Sequence, residues 1–291
     1  MMFANPSERL IRVDAHDDGV NRWEMARLRT ASALAGLVTS YSDYWEETGG
    51  FTTRRELPSI DPVLIVNLGD PIDIVDGNGE RITIRAGEGF AGGVHLRHAL
   101  ARSNGTQAGV HVHMPLQTLG RLLRLPLGEM VDRTLPLNVA AGEWGRTLCA
   151  RVAEATTPLD RAALLDGMLS ERLSDAAADP LVTYLSAALH RSAEEKVGDL
   201  AADLGCSRKH LSVRFRQATG VSPRLYRRLA RFGRLTAQLQ SGSRTEWAAL
   251  ALEAGYFDQP HMLRDFREFA GVTPRMFLAR SLPNMGGLVE D

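Results

Sequence analysis

The chain has 291 residues, of which 44% are hydrophobic, and its formal net charge is -1 at pH 7. This length provides material for two or three domains, each with its own core. No apolar run approaches the roughly 20 residues that a membrane-spanning helix needs, and the N-terminus lacks the basic and then apolar order of a signal peptide. We therefore predict a cytoplasmic protein without a membrane partner.

The first sixty residues carry the weakest pattern. The segment 23–38 has some helical periodicity, and an aromatic-rich segment that includes Trp45 follows it. Clustered aromatic side chains wall an apolar ligand pocket in some proteins, and more often they fill the core of a small sheet. Both interpretations stay open, and Trp45 is a candidate ligand contact.

Between 58 and 114 the pattern predicts strands. The segments 63–67, 72–75 and 81–85 are short and rich in Val and Ile, and a strong hairpin turn joins the last two. A further strand is predicted at 109–113, where His111 and His113 alternate and so share one face. Short strands at this spacing, followed by helices, predict an α+β domain with a small barrel or sandwich.

Three amphipathic helices are predicted after these strands, at 116–125, 142–155 and 159–173. The segment 174–179 is rich in Ala and Asp and is predicted to be a linker. Asp179 is then predicted to cap a helix that begins at Pro180.

A repeated pattern occupies the C-terminal part of the chain, at 197–226 and again at 247–277. In each copy an apolar helix pattern ends at a Gly, a polar turn follows, and a second helix carries apolar residues at positions i and i+4. Each copy closes with Gly, Val, Ser or Thr, and Pro, which predicts a helix end followed by a new capped helix. Two helices joined by a short turn with Gly are typical of a helix-turn-helix unit.

Basic residues are concentrated in this repeated region. From Asp179 to Leu282 there are sixteen Lys or Arg against ten Asp or Glu, whereas the rest of the chain has eighteen against twenty-five. No acidic residue occurs between Asp203 and Glu246, where ten basic residues stand. Because a phosphate backbone neutralises such a surface, the pattern predicts a nucleic-acid partner.

The segment from about 179 to 280 resembles the DNA-binding domain of the AraC-type transcription regulators. The resemblance covers roughly a third of the chain and rests on glycines, helix caps and core residues of both copies. They are Leu200, Ala201, Gly205, Ser207, Leu211, Phe215, Gly220, Ser222, Pro223, Tyr226, Ala251, Gly255, Tyr256, Phe257, Phe266, Gly271, Thr273 and Pro274. It implies a seven-helix domain in which a connector helix at about 223–239 presents two recognition helices to one side of DNA.

The same resemblance implies an N-terminal domain, 1–174, that is followed by the DNA-binding domain at 175–283 and a flexible tail at 284–291. The N-terminal domain is expected to contain a cupin-like barrel at about 58–114 that binds an unknown small-molecule effector. Its candidate contacts are Trp45, His95, His111 and His113. The implied partners are promoter DNA, RNA polymerase, and a second copy bound through the helices at about 143–173, although those helices are also expected to pack on their own sheet.

Ten side chains are candidate DNA contacts, six in the first copy and four in the second. They are Ser207, Arg208, Lys209, Ser212, Val213, Arg216, Gln259, His261, Arg264 and Arg267. By resemblance Lys209, Ser212 and Val213 face the major groove, whereas Arg208 and Arg216 are expected at phosphates. Gln259 is expected to pair with adenine and Arg264 with guanine, because their side chains match those base edges. Asp258 is expected to cap its helix.

Two further classes of protein stay open. A cupin-type enzyme or sensor fused to a DNA-targeting domain would bind metal through His111 and His113, but the Glu expected a few residues later is replaced by the run from Met114 to Gln117. A repair regulator would transfer an alkyl group to a cysteine, and neither Cys149 nor Cys206 lies in a Cys-rich module. We predict a regulator that is not an enzyme and uses no metal or cofactor.

Overall fold

The computed structural model describes residues 6–49, 53–174, 180–191, 197–240, 246–282 and 287–290. A sheet-rich region comes first and a helical region follows, which confirms the predicted order of an α+β domain and an all-α domain. Most of the predicted linker, with its cap Asp179, lies outside the described residues. Among the described helices, none combines the length and apolar character that crossing a bilayer requires.

The described strands belong to two antiparallel sheets. They are β1 (Leu10–Asp17), β2 (Asn21–Leu28), β3 (Ser40–Thr48), β4 (Thr53–Glu56), β5 (Val63–Asn67), β6 (Ile72–Val75), β7 (Arg81–Ile84), β8 (Gly89–Gly92), β9 (Ala99–Arg102), β10 (Thr106–His113), β11 (Thr134–Pro136) and β12 (Leu288–Val289). One sheet has the order β1-β2-β3-β10-β5-β8-β11, and the other has the order β12-β4-β9-β6-β7. Within the described chain no strand pairing joins the two sheets, so they form a sandwich and not a closed barrel.

The described α-helices all follow β10, and short 3-10 turns at Pro6–Arg9 and Ser32–Leu34 lie among the earlier strands. They are α1 (Leu116–Leu123), α2 (Leu137–Ala140), α3 (Gly142–Glu154), α4 (Pro158–Leu173), α5 (Pro180–Arg191), α6 (Val197–Asp203), α7 (Arg208–Thr219), α8 (Pro223–Gln240), α9 (Trp247–Glu253), α10 (Gln259–Ala270) and α11 (Pro274–Arg280). A third 3-10 helix, Leu127–Met130, lies between α1 and β11.

The helical interpretation of 23–38 is wrong. Strand β2 covers the first part of this segment, and the turn Ser32–Leu34 is its helical piece. β2 pairs with β1 on one side and with β3 on the other, so its backbone groups are satisfied in a ladder although Glu24, Met25 and Ala26 favour helices. The expected barrel region therefore omitted three strands that precede residue 58 in the larger sheet.

The apolar stripes of α3 and α4 are buried in the chain's own core. Leu148 and Val152 of α3, and Leu165 and Leu169 of α4, have no exposed surface. These stripes therefore pack within the chain itself, which is the alternative to dimerisation that we also predicted. A homodimer through 143–173 would therefore have to form through the polar outer faces of these helices.

Two helix pairs, α6 with α7 and α9 with α10, are joined by α8. Ser207 caps α7 and Asp258 caps α10, each accepting a hydrogen bond from the backbone N–H three residues later. Both helices end at a glycine in the left-handed region, Gly220 with φ 81° and Gly271 with φ 70°. The apolar residues predicted at positions i and i+4 are fully buried, and they are Leu211, Phe215, Met262 and Phe266.

Glycine packing and strand pairing both tie the helical region to the sheet region. A Cβ on Gly220 would come within 2.8 Å of the Cα of Gly128, so the end of α7 lies directly against the 3-10 helix Leu127–Met130. In addition, β12 pairs with β4 in the smaller sheet. β12, Leu288–Val289, lies within the segment 284–291 that we expected to be a flexible tail.

Candidate nucleic-acid interface

The first set of predicted DNA contacts lies on the outer face of α7. Arg208, Lys209 and Arg216 are exposed, and Val213 is 48% exposed although it is apolar. Ser212 is half-buried on the same helix. The helix presents this face because Leu211 and Phe215 hold the opposite face in the core.

The second set lies on α10. Arg264 and Arg267 are exposed, whereas Gln259 and His261 are half-buried at the start of the helix. The His261 ring packs edge-to-face on the Tyr256 ring, with 5.3 Å between centroids. This contact joins the first turn of α10 to the segment that precedes the helix.

A basic groove of about 420 Å³ runs between α8 and α10. It is lined by Arg224, Arg227, Arg228, Arg231, His261, Arg264, Asp265 and Glu268. Two of the predicted contacts on α10 therefore border a groove whose other wall is the connector helix.

A second groove, of about 480 Å³, lies on the other side of the same arginines. It is lined by Val197, Gly198, Asp199, Arg208, Arg224 and Arg227. Because Arg224 and Arg227 belong to both grooves, Arg208 of α7 and Arg264 of α10 flank the same turn of α8. The two helices thus offer their basic side chains around one shared surface, which we call the α8 surface.

Four of the arginines of α8 divide into two groups. Arg228 donates hydrogen bonds to Glu268 and to buried Asp265, each at 2.7 Å, and these bonds raise the pKa of its guanidinium. Arg231 stacks over the Tyr256 ring at 5.1 Å, and burial lowers the pKa of its guanidinium. These two residues attach α10 and its preceding turn to α8.

Arg224 and Arg227 form the other group, and they were missing from the residues that we predicted to contact DNA. Arg224 is exposed and Arg227 half-buried at the meeting point of the two grooves. The absence of acidic residues between Asp203 and Glu246 was the available signal. The sequence does not say which face of α8 is covered, so that signal did not separate them from Arg228.

Three of the four predicted effector residues lie on strands of the larger sheet, and they fall on its two faces. His111 on β10 is opposite Ile65 on β5, and Ile65 packs in the apolar cluster between the sheets. His111 and His113 therefore face the space between the two sheets, which we call the inter-sheet space. Trp45 is opposite Ala108, one position out of phase, and is 41% exposed on the other face. The structure brings the two histidines together and separates Trp45 from them.

The two histidines are in contact, with ring centroids 4.0 Å apart. His113 Nε2 is 2.8 Å from Ser42 Oγ, whereas His111 Nε2 is buried without a hydrogen-bond partner among the described residues. Burial, then the charges of His113 and Arg27, lower the pKa of His111 well below 6.5, and burial lowers the pKa of His113 to about 4. Both rings are therefore neutral at pH 7.

His95 lies apart from β10, where its backbone bridges to Ser59. Its side chain is buried above Gly92, and burial lowers its pKa. Across the described part of the chain, no cluster of three His, Cys, Asp or Glu side chains is arranged to hold a metal ion.

Polar residues of β3 and β4, which the sequence did not single out, share the inter-sheet space. Tyr44 is opposite Gly109 and so is on the same face as His111. Arg54 is opposite Ala101, which packs in the apolar cluster, and forms an ion pair with Glu46 at 2.5 Å. Burial raises the pKa of Tyr44 and of Glu56.

The comparisons with known proteins agree with this architecture. A helix-turn-helix domain family matches residues 200–280, and no curated protein matches the chain. A structure of ToxT from Vibrio cholerae is 12% identical, with a TM-score of 0.51 over 89% of this chain and 98% of that chain. Apo ToxT from Vibrio cholerae strain SCE256 is 13% identical, with a TM-score of 0.50 over 91% of this chain and 98% of that chain.

The AraC-like transcriptional activator CuxR is 15% identical, with a TM-score of 0.31 over 78% of this chain and 87% of that chain. At these identities the ToxT structures show a shared two-domain fold and nothing about ligands. The helix-turn-helix match coincides with the two helix pairs, their capping residues and the basic α8 surface. Residues 200–280 match a helix-turn-helix domain family, which agrees with the resemblance of this region to the AraC-type DNA-binding domain.

Proposed function

We propose that this protein is a sequence-specific DNA-binding transcription regulator whose two helix pairs contact consecutive major-groove segments of promoter DNA. The observation that supports this most directly is the α8 surface, because Arg208 of α7 and Arg264 of α10 border the same arginines. α8 has 18 residues, so it spans about 27 Å at about 1.5 Å per residue. That length suits two grooves on one side of DNA, about 34 Å apart.

The candidate DNA-contacting side chains divide by the chemistry of their targets. Lys209 and Val213 on α7, and Gln259 and Arg264 on α10, contact base edges, with Val213 against a thymine methyl group. The remaining basic side chains neutralise phosphates, and they are Arg208, Arg216, Arg224, Arg227 and Arg267. RNA polymerase is the expected protein partner at the promoter.

Selection of bound sequences from a random duplex pool tests this function with the full chain. We expect two short motifs whose centres are about 10 base pairs apart. The double variant Lys209→Ala, Val213→Ala should lose one motif, and Gln259→Ala, Arg264→Ala should lose the other. If both variants lose the same motif, or if the selected pool contains only one, the protein does not contact DNA through both helix pairs.

We further propose that a small-molecule effector binds in the inter-sheet space. One part of this space is apolar, with Ile72, Ile74 and Ile84, and the other part carries His111 and Arg54. His111 Nε2 is buried without a partner in the described chain, which is costly unless a ligand supplies one.

Thermal unfolding in the presence of a small-molecule collection tests the effector site. A compound that binds there should raise the melting temperature of the natural chain and have little effect on Ile74→Trp, which fills the apolar part. His111→Phe should remove the polar contact and weaken the same compound. A compound that stabilises all three chains equally binds elsewhere, and a collection with no other kind of hit contradicts the proposed site.

A further inference from the structure

We propose that strand β1 is a homodimer contact, in which two copies pair antiparallel about Val13 and join their larger sheets. This inference concerns self-association and goes beyond the proposed DNA contacts. β1 is the end strand of the seven-stranded sheet and pairs with β2 on one side only, as far as the described chain shows. Its free edge is therefore a row of backbone donors and acceptors that another strand can use.

The strand is apolar and exposed at once. Leu10 and Ile11 are each 43% exposed, and Val13 is 48% exposed. Seven of the eight residues of β1 are classed as exposed, so the described parts of the same chain leave it uncovered. Soluble proteins usually protect such an edge with proline, with a bulge, or with charges that repel a second copy.

β1 has only part of this protection. It contains no proline, and its one irregularity, between Leu10 and Arg12, is at its first residues. From Arg12 to Asp17 the pairing with β2 is regular. The charges on the strand are of both signs, and Arg12 and Asp14 lie 2.8 Å apart on one face.

The order of these charges is self-complementary. In an antiparallel pair centred on Val13, Arg12 of each copy is opposite Asp14 of the other, so two ion pairs form across the junction. The apolar Ile11 is then opposite Ala15. A pair centred on Arg12 or on Asp14 would instead place two like charges opposite each other, which is unfavourable. Charge therefore favours the Val13 register over these two neighbouring registers.

The helices α3 and α4, which we also predicted to form a dimer contact, expose less apolar surface than β1. The apolar stripes of α3 and α4 face the chain's own core, and their outer faces carry residues such as Glu143 and Arg146. A single strand pair buries a small area, so we expect a weak and reversible dimer.

Sedimentation velocity of the full chain over a range of concentrations tests the contact. The natural chain should shift toward a dimer as its concentration rises. Arg12→Asp gives a strand with two acidic residues at these positions, and Asp14→Arg gives a strand with two basic residues, so each variant alone should stay monomeric. An equimolar mixture of the two variants should restore the dimer, because opposite charges again meet at both positions.

Arg146→Asp is the matched control, since it makes the same charge change on the outer face of α3, and it should dimerise like the natural chain. The inference is overturned if the natural chain is monomeric throughout, if the mixture of variants does not associate, or if Arg146→Asp abolishes the dimer while Arg12→Asp does not. Restoration in the mixture also shows that both variants remain folded.

Discussion

The guanidinium of Arg55 donates a hydrogen bond to the carbonyl oxygen of Ala270, with 3.1 Å between Nη1 and the oxygen. Arg55 belongs to β4 in the smaller sheet, and Ala270 is the last residue of α10. The same guanidinium forms an ion pair with Glu290 at 2.5 Å, beside β12. One side chain therefore links the sheet that carries Arg54 and Glu56 to a helix that we propose contacts DNA.

Arg55→Gln should loosen this link. We expect faster amide hydrogen exchange in β12 and at the C-terminal end of α10, because the ion pair and the bond to Ala270 are lost together. Arg81→Gln, which changes an exposed arginine in the same sheet, should leave exchange in both segments unchanged. Equal exchange in the natural chain and Arg55→Gln would show that β12 is held by its strand pairing alone.

Gly220→Ala should destabilise the protein more than Gly205→Ala. Both glycines have a left-handed backbone, with φ 81° and 62°, so an added Cβ costs about 1 to 2 kcal/mol at either position. At Gly205 the new Cβ meets open space, whereas at Gly220 it meets Gly128 at 2.8 Å. Overpacking adds about 1 to 3 kcal/mol to the loss for Gly220→Ala.

Chemical denaturation of the two alanine variants measures this difference directly. If their free energies of unfolding are equal, the end of α7 does not pack against the 3-10 helix Leu127–Met130 in solution. Gly205→Ala provides the reference for backbone strain, so the comparison isolates the contact between the two regions.

Arg264→Ala should relax the preference of the protein at one base step. Loss of a bidentate contact with guanine costs about 1 to 3 kcal/mol of discrimination. Arg216→Ala should instead weaken binding to all duplexes by a similar factor, because a phosphate contact carries no sequence information. Titration of each variant against matched and single-mismatch duplexes separates these outcomes. Identical behaviour of the two variants would contradict their assignment to bases and phosphates.

The buried histidines should make the fold sensitive to acid. The pKa of His113 falls from 6.5 to about 4 on folding, so the unfolded chain binds a proton that the folded chain excludes. The free energy of unfolding should therefore decrease as pH falls from about 6.5 to about 4. Burial raises the pKa of Glu56, which has the opposite effect at low pH.

His113→Gln isolates the histidine contribution, because Gln keeps a hydrogen-bonding group near Ser42 but does not titrate. We expect the variant to lose less stability than the natural chain between neutral pH and pH 4, as measured by denaturant unfolding at each pH. Parallel pH curves for the two proteins would mean that folding does not lower the pKa of His113.

The sequence predicted a segment's structure correctly where its residues strongly favour one type of secondary structure. The Val- and Ile-rich segments 63–67 and 72–75 are strands with those bounds, and the helix caps Ser207 and Asp258 hold the hydrogen bonds that capping requires. The repeat fixed both helix pairs because Gly, cap and core positions agree with one another. Such features depend on neighbours within a few residues.

Features that depend on pairing between distant segments were not predictable. Glu24 and Met25 favour a helix by themselves, and only β1 and β3 on either side make β2 a strand. Trp45 and His111 fall on opposite faces because of the register between β3 and β10, which no local pattern encodes. For the same reason Tyr44 and Arg54 were not recognised as neighbours of the histidines.

The ion pairs of Arg228 affect how many cations the protein releases from DNA when it binds. Arg228 is already neutralised by Asp265 and Glu268, so it has no charge to spare for a phosphate. Each phosphate neutralised by a protein contributes about 0.9 to the slope of log affinity against log salt concentration. The ionic-strength dependence of DNA binding should thus correspond to fewer charges than the ten basic residues between Asp203 and Glu246.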